Sequence, residues 1–190
     1  MPGISPHEHD HIMELVARRQ PGHGLPTEFY VDELVYQAEL ERIWRRGWLF
    51  AGHTCQVPQP GDYFTLDVGS DPLIVIRDDE GSIRALHNVC RHRGAELCTA
   101  ASGRIGRFIC PYHQWAYARD GSLQSCRGMQ ADLDTSDLGL HGVHVQVLEG
   151  LVFISLAEEP PAFDLAAALI GPAARPQGFE QARVAKIVDY

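Results

Sequence analysis

The sequence predicts a mainly β, antiparallel domain that carries one long loop insertion and follows a helical arm. Three observations predict it. From Trp48 to Leu156 the chain is a succession of short segments rich in Val, Ile, Phe and Tyr, each bounded by Gly, Pro or Asp turn residues. Between Asp32 and Gly47 the apolar residues recur at helical spacing instead. A stretch from Asn88 to Trp115, NVCRHRGAELCTAASGRIGRFICPYHQW, then breaks the strand pattern with cysteines, histidines and arginines.

Taken in order, the first dozen residues crowd His7, His9, Asp10 and His11 together and read as a mobile, solvated end of an N-terminal segment, residues 1–27. The arm, residues 28–47, places Leu34, Ala38 and Ile43 near one helical face and closes on Arg45, Arg46 and Gly47. Trp44 and Trp48 are expected in the core. WLFAGH, then DYFTLDV after the Pro58 to Gly61 turn, then LIVIRDDEGSIRALHNV with its Asp79-Glu80-Gly81 turn, give three or four strands. RFIC leads to the second Cys/His pair, WAYARDGSLQ turns on Asp120-Gly121, and VHVQVLEGLVFISL pivots on Gly150. That makes eight or nine strands within residues 48–158, the main domain. Residues 159–190 read as a linker (EEPPAF), a short helix (DLAAALIG) and the first strand of a further unit (QARVAKIVDY).

Bulk properties narrow the function. A chain of 190 residues, 45% apolar and 22% charged, is long enough for a sizeable core. Its start has no apolar run behind basic residues, and no stretch approaches the ~18 apolar residues of a membrane helix, so the expected compartment is the cytoplasm. A net charge of −9 argues against nonspecific nucleic-acid binding. The five cysteines, Cys55, Cys90, Cys98, Cys110 and Cys126, are an odd number without an export signal, which favours free or metal-bound thiols over a disulfide framework. Charge is uneven: Arg84, Arg91, Arg93, Arg104, Arg107 and Arg119 stand against Glu96 alone, so this window is a basic island on an acidic chain. The island would steer an acidic redox partner or brace the loops around it.

Within the island Cys90 and His92 form C-x-H, and after seventeen residues Cys110 and His113 form C-x-x-H. Each pair follows a strand, with Gly94 and Pro111 near to turn the backbone. Structural zinc, an iron-sulfur cluster and coincidence compete. Zinc sites usually repeat a two-cysteine knuckle followed by paired histidines. One thiolate and one imidazole from each loop instead suit a two-iron cluster in which one iron takes both cysteines and the other both histidines. Four thiolates leave an oxidised two-iron core at about −2, whereas two thiolates and two neutral imidazoles leave it neutral, so the mixed set is easier to reduce.

Cys90-Arg91-His92-Arg93-Gly94 and Cys110-Pro111-Tyr112-His113-Gln114-Trp115, with their flanking strands, resemble the Rieske domain of the α subunits of Rieske non-haem iron oxygenases, the ring-hydroxylating and N-demethylating enzymes. The resemblance covers roughly residues 28–160. It implies an antiparallel Rieske-type β-sandwich with a cluster-binding insertion, and a [2Fe-2S] cluster held by Cys90 and Cys110 on one iron and His92 and His113 on the other. Respiratory Rieske proteins carry a further cysteine in each loop. The corresponding positions here are Ala95 and Tyr112, so no disulfide clips the loops, and a potential in the lower part of the Rieske range of about −150 to +300 mV is expected. Cys55, Cys98 and Cys126 are expected to pack as small apolar residues.

In the resembled family the cluster takes electrons from a reductase or ferredoxin and passes them to a mononuclear Fe(II), held by two His and one carboxylate in a C-terminal catalytic domain, across a subunit boundary in a homotrimer. In the family that second motif lies at positions after those this sequence covers. His141 and His144, the only nearby pair, have no carboxylate placed with them. The chain alone is therefore expected to carry electrons and not to oxygenate; the alternatives are a free-standing Rieske ferredoxin and a zinc-stabilised binding domain. The run WLFAGHTCQVPQPGDYFTL resembles oxygenases of small quaternary ammonium compounds, with an aromatic-ring dihydroxylase as the alternative. No nucleic-acid or membrane partner is expected.

Overall fold

A computed structural model describes residues 5–130 and 133–163. The helix and strand expected after residue 163 lie outside them. Ten strands form two antiparallel sheets: β1 (Leu49–His53), β2 (Asp62–Val68), β3 (Asp71–Arg77), β4 (Ile83–His87), β5 (Ser102–Arg104), β6 (Phe108–Ile109), β7 (Ala116–Tyr117), β8 (Leu123–Ser125), β9 (Gly142–Leu148) and β10 (Leu151–Ser155). The larger sheet runs β1-β10-β9-β4-β3-β2-β5 and the smaller β6-β7-β8. The antiparallel β architecture read from the sequence is present, with one strand more than counted.

Strand β3 explains why the parts hold together. Its run Leu73-Ile74-Val75-Ile76 is apolar at every position because the strand is covered on both faces. Leu73 and Val75 point into a core with Val57, Phe64, Ala85, Val152 and Ile154. Ile74 and Ile76 point the other way, into a core with Tyr63, Leu86, Cys90, Phe108, Cys110, Trp115 and Tyr117. The second core seats the Cys/His loops. All four β3 side chains are fully buried, and each is worth about 1.5–3 kcal/mol of apolar burial.

The expected turns are where they were read. Buried Asp78 closes the β3–β4 hairpin by accepting from the N–H groups of Glu80 at 3.0 Å and Ser82 at 2.8 Å. The β9–β10 turn places Glu149 and Gly150 consecutively at positive φ, 48° and 84°, as a tight right-twisted hairpin requires.

The N-terminal part departs from expectation. Pro6–Ala17 is a helix, α1, capped reciprocally: Ser5 N–H donates to Glu8 Oε2 at 2.7 Å and Glu8 N–H to Ser5 Oγ at 3.3 Å. The histidines expected on a mobile end therefore sit on a capped helix, where His11 meets Asp32 at 3.0 Å. In the arm, α2 (Glu28–Val31) and α3 (Glu33–Glu39) run into a π-helical turn, Leu40–Trp44. This wider turn rotates the face, so Val35, Ala38 and Leu40 are buried while Ile43 is 59% and Trp44 44% exposed. The expected face of Leu34, Ala38 and Ile43 is corrected accordingly, as is the core assignment of Trp44. Trp48 is half-buried; its indole N–H donates to Pro161 O at 2.8 Å and its ring meets Phe163 edge-on.

Candidate metal centre

The two Cys/His loops share one backbone frame. After β4, Gly94 N–H donates to Cys90 O at 2.9 Å and Cys90 N–H donates to Ala95 O at 2.8 Å. Between β6 and β7, Gln114 N–H donates to Cys110 O at 3.0 Å and Cys110 N–H donates to Trp115 O at 2.8 Å. Four residues after each cysteine the chain turns left-handed, with φ 74° at Gly94 and 62° at Gln114. The frame sends both cysteines inward, where they are 2% and 1% exposed. The histidine follows two residues after the cysteine in the first loop and three after it in the second.

The loops meet through their imidazoles. The His92 and His113 rings lie 4.6 Å apart at 76°. Buried Trp115 stacks on His92 at 4.9 Å and 10°, and Tyr112 leans on His113 at 4.0 Å. Tyr112 is 62% exposed, so one histidine is covered from inside the protein and the other from its surface.

Unpartnered polar atoms mark the place. A buried nitrogen without a hydrogen bond is costly and therefore rare. Among the described residues five side-chain atoms are in that state, and four of them are Arg91 Nε, His92 Nδ1, His113 Nδ1 and Trp115 Nε1. Two unpartnered imidazole Nδ1 atoms and two buried thiols, one of each from each loop, are a donor set that a [2Fe-2S] cluster satisfies. Among the described residues no three His, Cys, Asp or Glu side chains are grouped to hold a single metal ion. Cys90 and Cys110 belong to the same buried core, and the His92 and His113 rings lie against each other. Burial, then His113 and the Arg93 guanidinium, lower the His92 imidazole from its ordinary value, the direction that favours the neutral form a metal needs.

Two residues that spacing alone did not single out build the surroundings. Asn88, fully buried, donates from Nδ2 to Cys98 O at 2.7 Å and to Glu96 Oε1 at 3.0 Å. Its Oδ1 accepts from the N–H groups of Cys98 at 2.9 Å and Leu97 at 3.1 Å. Tyr117, also fully buried, brings its hydroxyl to 3.3 Å from Cys90 Sγ and accepts the Arg91 N–H at 3.0 Å. Burial first, and the Cys90 thiol next, push the phenol far up, so the hydroxyl keeps its proton for the sulfur.

The basic island is mostly bracing. Arg84 pairs with Asp78 at 2.8 Å, Arg104 with Asp62 at 2.6 Å, and Arg119 with Asp79. Arg93 and Arg107 enter no ion pair among the described residues. All five cysteines are free; Cys98 packs in the core while Cys55 and Cys126 are half-buried. His141 and His144 do not act as a pair: His144 contacts Glu158 O at 3.3 Å, whereas His141 contacts Arg91.

Comparison with known proteins agrees with this geometry. Residues 47–147 match the Rieske [2Fe-2S] domain. The chain is 45% identical over 156 residues to the glycine betaine monooxygenase oxygenase subunit of Chromohalobacter salexigens, covering 82% of this chain and 35% of that protein. It is 39% identical over 156 residues to the biphenyl 2,3-dioxygenase α subunit of Rhodococcus jostii, covering 80% and 34%. Among solved structures, naphthalene 1,2-dioxygenase from Rhodococcus sp. superposes with a TM-score of 0.74 at 32% identity, over 85% of this chain and 38% of that one. The quaternary ammonium Rieske monooxygenase CntA, in complex with γ-butyrobetaine, superposes at 0.67 and 33%, over 72% and 40%. The chain thus spans about a third to two fifths of these relatives' length. With more than half of its residues inside the matched region, the chain belongs to the Rieske [2Fe-2S] domain family, in the company of oxygenase α subunits.

Proposed function

We propose that this chain is the electron-transfer module of a Rieske oxygenase, taking electrons from a reductase or ferredoxin and passing them to a mononuclear non-haem iron in a catalytic domain. The observation that carries the reading is the pair of unpartnered Nδ1 atoms, on His92 and His113, in the same two loops as the buried thiols of Cys90 and Cys110. Cys90 and Cys110 would hold one iron and His92 and His113 the other, within a unit spanning residues 48–158. When bound, the cluster takes up and gives back one electron at a time. The protein's part is to present both imidazoles, exclude water from the thiolates and direct the Tyr117 hydroxyl at one sulfur. With Nδ1 turned inward, Nε2 of each histidine is the atom left to bond, or to exchange a proton, with a partner.

Arg93 and Arg107, left without acidic partners, support docking of an acidic electron donor by electrostatic steering. For substrate class, the higher identity to a glycine betaine monooxygenase subunit than to a biphenyl dioxygenase subunit supports a quaternary ammonium compound. Assembly of the oxygenase as a homotrimer, with electron handover between subunits, belongs to the same proposal.

Metal and sulfide analysis with absorption and electron paramagnetic resonance spectra of the dithionite-reduced protein tests the centre. Iron and sulfide in equal amounts with a Rieske-type spectrum are expected, and His92→Ala should abolish assembly. Stoichiometric zinc without a reducible chromophore, or an unchanged spectrum in His92→Ala, would overturn it. For substrate, the oxygenase containing this module should consume reductant faster with glycine betaine than with biphenyl; the reverse order would reject the quaternary ammonium assignment.

A further inference from the structure

Arg91 stands between Cys90 and His92, yet its side chain leaves the loop. It reaches the segment that leads into β9, where Nη2 donates to Asp137 O at 3.3 Å and Nη1 donates to His141 Nε2. A guanidinium has only donors, so in this contact His141 Nε2 is the acceptor. His141 is tied in turn to β4: its carbonyl accepts the His87 N–H at 2.9 Å, and the two rings lie edge-on at 6.3 Å. One line of contacts therefore joins β4, the segment before β9 and the first Cys/His loop.

We propose that Arg91 and His141 are a positioning pair, a clasp that fastens the first loop to the segment entering β9 and that opens when His141 is protonated. The proposal rests on the reading of Cys90 and His92 as cluster ligands. A protonated His141 would turn a donor toward a donor and set one cation against another. The titratable and charged groups facing it are Arg91 from the loop and His87 from β4, with Asp71 at the start of β3 acting on His87. The only carboxylate in that set thus addresses His87 rather than the clasp. Asp137 contributes its backbone carbonyl.

The consequence is acid-sensitive retention of the cluster. In the reconstituted holoprotein, loss of visible absorption to a ferrous-iron chelator is followed across the imidazole titration range. Protonation of the ligands themselves accelerates loss in every variant, so the comparison is between variants at each pH. His141→Gln keeps a neutral acceptor at all pH values and should lose the extra acceleration, about five-fold, that one modest hydrogen bond represents. Arg91→Met should release the cluster faster at neutral pH and likewise lack the extra step. Hydrogen exchange at Gly94 and Ala95 is the second readout: acid should deprotect these amides in the parent protein and not in His141→Gln. A His141→Gln profile that superimposes on the parent in both measurements would overturn the clasp. Absence of a Rieske spectrum from the parent protein would instead overturn the ligand assignment beneath it.

Discussion

The two loops that supply the cysteines and histidines solve the same backbone problem with different materials. Both close through the same two hydrogen bonds and both turn left-handed at the same position. The second loop sits on a strand ladder, with Phe108 paired to Tyr117 and Ile109 to Ala116, so its base is held by backbone. The first rests on a single bridge, Val89 to Glu96, and on the four hydrogen bonds of Asn88. One loop is rigid because of pairing that almost any sequence can make; the other depends on particular side chains. Its tolerance to substitution should be lower.

The largest effect expected from this contrast is at Asn88. Asn88→Ala removes all four bonds and leaves the Leu97 and Cys98 N–H groups buried without partners, costing about 3 kcal/mol in denaturant unfolding. Among the described residues no side chain at the base of the second loop makes four such bonds. A loss below ~1 kcal/mol would mean that backbone pairing holds both loops alike.

Tyr117 crosses from the second loop's hairpin to the first loop's sulfur, so Tyr117→Phe tests how far the loops depend on each other. A hydroxyl donating to a cysteine ligand favours the more negative, reduced state. Its loss should lower the potential by about 40 mV, the equivalent of a hydrogen bond of ~1 kcal/mol in a one-electron couple. Potentiometric titration reads it, and an unchanged or raised value would show that the hydroxyl serves only Arg91 N–H.

The smallest pair concerns the shared left-handed position. A Cβ at Gly94 would meet nothing within 4 Å, so Gly94→Ala should cost only the conformational penalty, about 1 kcal/mol. Gln114 already bears that penalty while accepting from Arg127 Nη1 at 2.7 Å. Gln114→Gly trades one for the other and should stay within about 0.5 kcal/mol of the parent. Equal losses at both sites in thermal unfolding would dissolve the equivalence of the two frames.

What could be read beforehand follows from the range of the signal. Strands β2, β9 and β10 were legible because alternation and turn residues such as Gly150 are local. Strand β5 was not, because Ser102–Arg104 is exposed at every position and carries no apolar pattern. The π-helical turn escaped because the residues that rotate out, Ile43 and Trp44, are those that a regular helix would bury. The capping pair of α1, Ser5 and Glu8, is a local signal that the sequence also carries. At the candidate centre the four cysteine and histidine positions stand out by their spacing. The groups around them do not, since Arg91 meets His141 fifty positions away and Tyr117 meets Cys90 across twenty-seven.

Strand β3, with one face in each core, ties the melting of one half of the molecule to that of the other. Neither the core that seats the loops nor the core on the other face of β3 can come apart without baring the residues on which the other rests. The amides of Leu73 to Ile76 should therefore exchange only through global opening, and a bound cluster should slow their exchange although none of them touches it.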